Sequence, residues 1–219
     1  MIRALAALVF LCGGLADEVF AAGGGPKKAE EPSPQQQAIE HYNKGLKHRD
    51  KAWQHEAKAA TAEKEKDREK RLKKARKDYE KAVTEQLSAV DNNPRFHEAF
   101  SSLGYAYRKL DRYEEALAAY GTCLELAPNY AEAIEYRGEA YLGLNRVAEA
   151  RQAYESLLTA DRAHAASLLS ALKEWTRKRR VTPVEGVSAG TLAEVEEWIA
   201  VKETAAANGD EVGESDTPW

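Results

Sequence analysis

Apolar residues recur at helical intervals along most of this chain. Ile39, Tyr42, Leu46, Trp53, Ala57 and Ala60 form one stripe; Leu72, Tyr79, Val83, Leu87 and Val90 form a second. Later stripes are Leu168, Leu172 and Trp175, then Leu192, Val195, Trp198 and Ile199. Spacings of three and four put each set on one face of a helix, and no stretch shows the alternation of a strand. The pattern predicts an all-α chain.

Between these stripes the sequence repeats itself. Shifting it by 34 positions superposes residues 97–124 on 131–158 with 12 of 28 identities, among them Gly104/Gly138, Tyr107/Tyr141, Arg112/Arg146, Glu115/Glu149, Ala116/Ala150 and Tyr120/Tyr154. A fixed period of this length marks stacked supersecondary units. Each unit reads as two amphipathic helices joined at Leu110-Asp111-Arg112 or Leu144-Asn145-Arg146. A helical glycine costs roughly 1 kcal/mol relative to alanine. Gly104 and Gly138 are therefore expected at close helix contacts, facing Ala116 and Ala150.

Phe100-x2-Leu103-Gly104-x2-Tyr107, Ala116-x3-Tyr120 and Pro128 resemble the tetratricopeptide repeat (TPR) pattern, and the next unit keeps Gly138, Tyr141, Ala150 and Tyr154. The resemblance implies a helical-hairpin solenoid of about three units. Carried upstream, it places Gly45 and Ala82 in a first hairpin. They are 37 residues apart, whereas Gly104 and Ala116 are 12 apart, so this unit holds 25 extra residues, about seven helical turns. Glu63 to Arg71 has no apolar residue and suits a bend, with Asp67–Arg71 and Glu69–Lys73 as i,i+4 pairs. One unbroken helix is the alternative.

The resulting organisation is a signal segment at 1–21, a linker at 22–34, an elongated hairpin at 35–94, repeats at 95–128 and 129–162, a capping helix at 163–182, a C-terminal helix at 183–206 with Thr191 and Glu194 as its capping box, and an acidic tail at 207–219. Arg3, the apolar Ala4–Leu11 and Val19-Phe20-Ala21 read as an export signal cleaved after Ala21, or alternatively after Ala16. The expectation is an exported, bacterial-type TPR protein, periplasmic or extracellular, with no stable membrane span after cleavage. Cleavage removes Cys12, so Cys123 has no intrachain disulfide partner and is expected to be buried.

Charge refines the picture. The chain carries a net charge of −4, yet residues 44–81 hold 15 Lys/Arg against 8 Asp/Glu, while residues 185–219 hold nine acidic groups and one Lys. Opposite signs alternate along the basic stretch and no aromatic interleaves it, which argues against nucleic acid as a partner. His41, His48 and His55 recur every seven residues, about 10.5 Å along a helix, too far apart to share one metal. His97 and His164 have no acidic partner at a useful spacing. No catalytic, cofactor or metal constellation emerges, and the expectation is a non-enzymatic protein with no cofactor.

The TPR resemblance implies that a partner peptide lies along the inner face of each first helix. The matching candidates are Tyr42; Tyr105, Arg108 and Lys109; and Glu132, Glu135 and Glu139. The three glutamates share one helical face, which predicts an extended partner with basic residues against the third unit and apolar ones against the first. The alternative is an assembly protein acting through the elongated basic hairpin; excising residues 52–76 is expected to separate the two.

Overall fold

The computed structural model describes residues 31–207, within a compact unit that begins at Pro32. The export segment, most of the linker and the acidic tail from residue 208 onward lie outside the described residues. Among the described residues there are eight helices and no strand: α1 (Pro34–Ala60), α2 (Glu65–Asn92), α3 (His97–Lys109), α4 (Tyr113–Leu126), α5 (Ala131–Gly143), α6 (Val147–Ala160), α7 (Arg162–Val181) and α8 (Ala189–Ala207). Consecutive helices pack as antiparallel neighbours. The first helices also touch in series, α1 on α3, α3 on α5 and α5 on α7, as in a solenoid.

The first hairpin has two long arms, and the chain reverses at Thr61–Lys64, at the near edge of the apolar-free stretch. Ser33 caps α1 through a reciprocal capping box with Gln36. The anticipated Asp67–Arg71 and Glu69–Lys73 pairs do not form; Arg68 pairs with Glu65 instead.

The buried side of α1 differs from the expected stripe. Ala38, Gly45, Ala52 and Ala59, spaced by sevens, are buried, whereas Ile39, Trp53, Ala57 and Ala60 are exposed. Small residues let α1 settle closely on α2: a Cβ added at Gly45 would lie 2.4 Å from Gln86 Nε2. The large apolar side chains are displaced to the flank. Gln86 follows Gly45 by 41 positions and Tyr120, which packs over Gly104, follows it by 16. The difference is the 25-residue elongation.

The repeats' turns account for several of their identities. Asp111 and Asn145 adopt positive φ, 62° and 59°. The Arg112 and Arg146 amides bond the carbonyls of Tyr107 and Tyr141 at 3.0 and 2.8 Å. This is a Schellman ending, in which Asp and Asn tolerate the left-handed position. Arg112 and Arg146 then lie 4.5 and 4.7 Å from the ring centroids of Tyr107 and Tyr141 and pair with Glu115 and Glu149.

The second repeat closes differently. Gly138 makes room for Leu168 of α7, not for a counterpart of Tyr120, because Tyr154 packs against Trp198 of α8. α7 and α8 cover the open end with Leu168, Leu172 and Trp175, then Leu192, Val195 and Ile199. Ser188, rather than Thr191, starts α8, accepting from the Thr191 amide at 3.0 Å, since Thr191 already lies in its first turn.

Candidate functional site

The first-helix side of the array carries a continuous aromatic row. Trp53 of α1 donates through Nε1 to Tyr105 Oη of α3 at 2.6 Å, with the rings edge-on at 5.8 Å. Tyr105 meets Tyr136 of α5 at 5.2 Å, again edge to face. Arg108 lies against both tyrosines, its guanidinium 5.1 and 5.0 Å from their centroids, and Arg49 covers Trp53 at 4.3 Å. These are cation–π distances, and the rings are stacked by helices fixed in place behind them.

Several charged groups between the helices are paired with one another. Arg108 pairs with Glu139. Burial works against the Arg108 charge, but Glu139 and the neighbouring tyrosine oxygens more than restore it, so its pKa is raised. Lys109 bonds Glu56 at 2.8 Å, and Glu56 accepts from the buried Tyr79 Oη at 3.0 Å. Glu135, buried, takes His164 Nδ1 of α7. Burial raises the Glu135 carboxyl above its ordinary range, while His164 pulls it back. Glu132 accepts from Tyr130 Oη at 3.1 Å.

Of the expected acidic wall, Glu135 is buried against His164, whereas Glu139 ties α5 to α3 through Arg108 and still lines an open cleft. His164, read as lacking an acid, has one 29 positions away that only the packing reveals. Arg108 and Lys109 of α3 and Glu139 line a cleft of about 390 Å3 together with Glu56, Trp175 and Arg179; Tyr105 lies against Arg108 and is not among the lining residues. Tyr42 lies apart from that cleft, its ring 4.8 Å from Phe96. Trp53 and Tyr136, central to the aromatic row, were missed as site residues. Trp53 falls by spacing in the apolar stripe of α1, and Tyr136 has no aromatic counterpart 34 positions earlier, where Ser102 stands.

Cys123 is buried, and burial pushes its thiol up to about 12, which removes the nucleophilic thiolate at neutral pH. His48 and His55 both approach Asp78, at 3.6 and 3.7 Å, and His41 meets Glu85 at 2.8 Å. Among the described residues no group of three His, Cys, Asp or Glu side chains is placed to hold a metal, and no helix is long and apolar enough to cross a membrane.

Two tetratricopeptide-repeat family models match the chain, one over residues 97–130 and the other over 131–164. These are the α3–α4 and α5–α6 hairpins. Residues 97–164 are thus two tandem tetratricopeptide repeats. No curated protein matches it. Among solved structures it is similar to the second TPR domain of the human RPAP3 protein, determined by NMR in complex with an HSP70 peptide, at 22% identity over 64% of this chain and 98% of that one, TM-score 0.48. It is also similar to the first TPR of Spaghetti (RPAP3) bound to an HSP90 peptide, at 18% identity over 61% of this chain and 94% of that one, TM-score 0.43.

Proposed function

We propose that this chain is a non-enzymatic scaffold of the cell envelope that holds an extended segment of a partner protein along its first-helix side. The observation that carries this reading is the Trp53–Tyr105–Tyr136 row with Arg108 against it, an aromatic and cationic surface spanning three hairpins. Trp53 keeps 39% of its surface exposed and Ile39 44%, on an arm that had small residues available for its buried side. Aromatic and arginine anchors of this type dominate binding energy at protein interfaces.

Tyr42, Tyr105, Arg108 and Lys109 line the path with Glu132 and Glu139, the glutamates that can meet basic partner residues. Glu135 acts indirectly, by fixing His164. The partner segment is accordingly apolar where it crosses α1 and α3. The envelope location rests on the Arg3–Ala21 segment.

Crosslinking in the source cells, followed by mass spectrometry, tests both parts. The chain should be recovered outside the cytoplasm with Ala22 as its first residue. Trp53→Ala combined with Tyr105→Ala should cut partner recovery about 30-fold or more, the effect of losing a hot spot of about 2 kcal/mol. Undiminished recovery by a folded double variant overturns the trough reading, and a cytoplasmic chain that retains Met1 overturns the location.

A further inference from the structure

We infer that the solvent face of α2 is a docking surface for an anionic lipid bilayer, which would hold the scaffold peripherally on a membrane with its aromatic row free. Along the sequence the charges of this arm alternate, but the helix sorts them. Lys66, Lys70, Lys73, Lys74, Lys77 and Lys81 fall within about a 100° sector at 3.6 residues per turn. The sector lies opposite the buried Ala75, Tyr79, Ala82 and Gln86. All six lysines are exposed. Five make no ion pair among the described residues; Lys81 alone reaches a carboxylate, Asp78 at 3.6 Å. The row is about 22 Å long at 1.5 Å per residue.

The acidic residues are largely kept off it. Glu65, Glu69 and Glu80 share the flank of Arg76, which bonds the Leu110 carbonyl at the α3–α4 turn. Asp78 is buried beside His48 and His55; Asp67 and Glu80 border the row, one on each edge. Lys47, Lys51 and Lys58 of α1 are exposed and also unpaired among the described residues. Toward the tip, no hydrogen bond or ion pair links residues 57–75 to a later helix among the described residues, so the hairpin's end is free to approach a surface.

The chemistry selects the partner. Every cation in the row is a lysine, a hydrated point charge without the planar fork that arginine offers to a single phosphate or carboxylate. No aromatic stands among them to stack a base, since Tyr42, Trp53 and Tyr79 are turned toward α3 or buried. No apolar anchor stands there to seat a specific protein. A straight row of ammonium groups matches a diffuse anionic plane, where each lysine near the surface contributes about 1 kcal/mol. Net charge is sorted along the chain: −4 overall, but with 15 Lys/Arg against 8 Asp/Glu in residues 44–81 and nine acidic groups against one Lys in residues 185–219.

Sedimentation of the chain from Ala22 onward with lipid vesicles tests this. Vesicles containing about one third phosphatidylglycerol in phosphatidylcholine should bind it, and vesicles of phosphatidylcholine alone should not. Raising ionic strength from about 0.05 to about 0.5 M should release it. The triple variant Lys70→Gln, Lys73→Gln, Lys77→Gln, altered only at exposed positions, should partition roughly 100-fold more weakly. Lys178→Gln, in the other basic cluster, should leave partitioning unchanged. Three results each overturn the inference: no binding to the anionic vesicles, equal binding by the triple variant, or displacement from the vesicles by duplex DNA at equal charge concentration. The last would reassign the row to nucleic acid.

Discussion

A single missing methyl group sets the spacing of α3 and α4. A Cβ built on Gly104 would lie 2.6 Å from the Tyr120 ring, which is wholly buried and has no room to turn. Gly104→Ala should therefore lower stability by about 1–3 kcal/mol, the cost of overpacking, in a denaturant titration. An unchanged midpoint would mean the ring moves aside freely. At Gly138 the obstructing atoms are the Cδ ends of Leu168, a flexible chain, so alanine there should be milder. Glu135 carries a pH signature. Its carboxyl is raised by burial, so the penalty for holding its charge is absent below the ordinary value of 4.5 and appears as pH rises through the folded one. Glu135→Gln keeps an acceptor for His164 and removes that titration. The variant should match or exceed the parent near neutrality and lose less stability as pH climbs from about 4.5. A loss above about 1 kcal/mol at neutral pH would show that the His164 pair is net attractive.

The elongated hairpin and the end cap are where whole helices had to be placed. Excising residues 52–76 no longer separates the two functional readings, because it also removes Trp53, Glu56 and Arg76, which bond Tyr105, Lys109 and the Leu110 carbonyl. At the other end, α8 buries Leu192, Val195 and Ile199 in the cluster that holds Leu157, Leu168 and Leu172. Ending the chain after Val181 uncovers that apolar face, and a solenoid with an open end aggregates. Size-exclusion chromatography should show self-association and calorimetry a lower Tm; a monodisperse, equally stable truncation would make α8 dispensable.

Across the array, coupling runs along the first-helix side. Trp53 to Tyr105, Arg108 to Glu139 and Glu135 to His164 each bridge one hairpin to the next. The row proposed to hold a partner is thus also part of what keeps successive hairpins in register. Loss of an aromatic there has two effects, so partner recovery must be read beside a Tm. The lysine row lies on the opposite side of α2 from that packing, which lets the two surfaces be tested independently.

The helical class, the 34-residue repeat, the 25-residue elongation and the paired turns were legible in the sequence, because each depends on neighbours in the chain: a period of 3.6, a fixed offset, an Asp or Asn at a left-handed position. What faced what was not. α1 has two plausible stripes, one of large apolar residues and one of small residues every seventh position, and periodicity alone favours the larger. Only the approach of α2, close enough to exclude a Cβ at Gly45, decides for the small one and sends Trp53 outward. The glutamates of α5 likewise shared a face by spacing alone. Tertiary structure brought Arg108 and His164 to them from 31 and 29 positions away, and that proximity turned an apparent binding wall into the ties between hairpins.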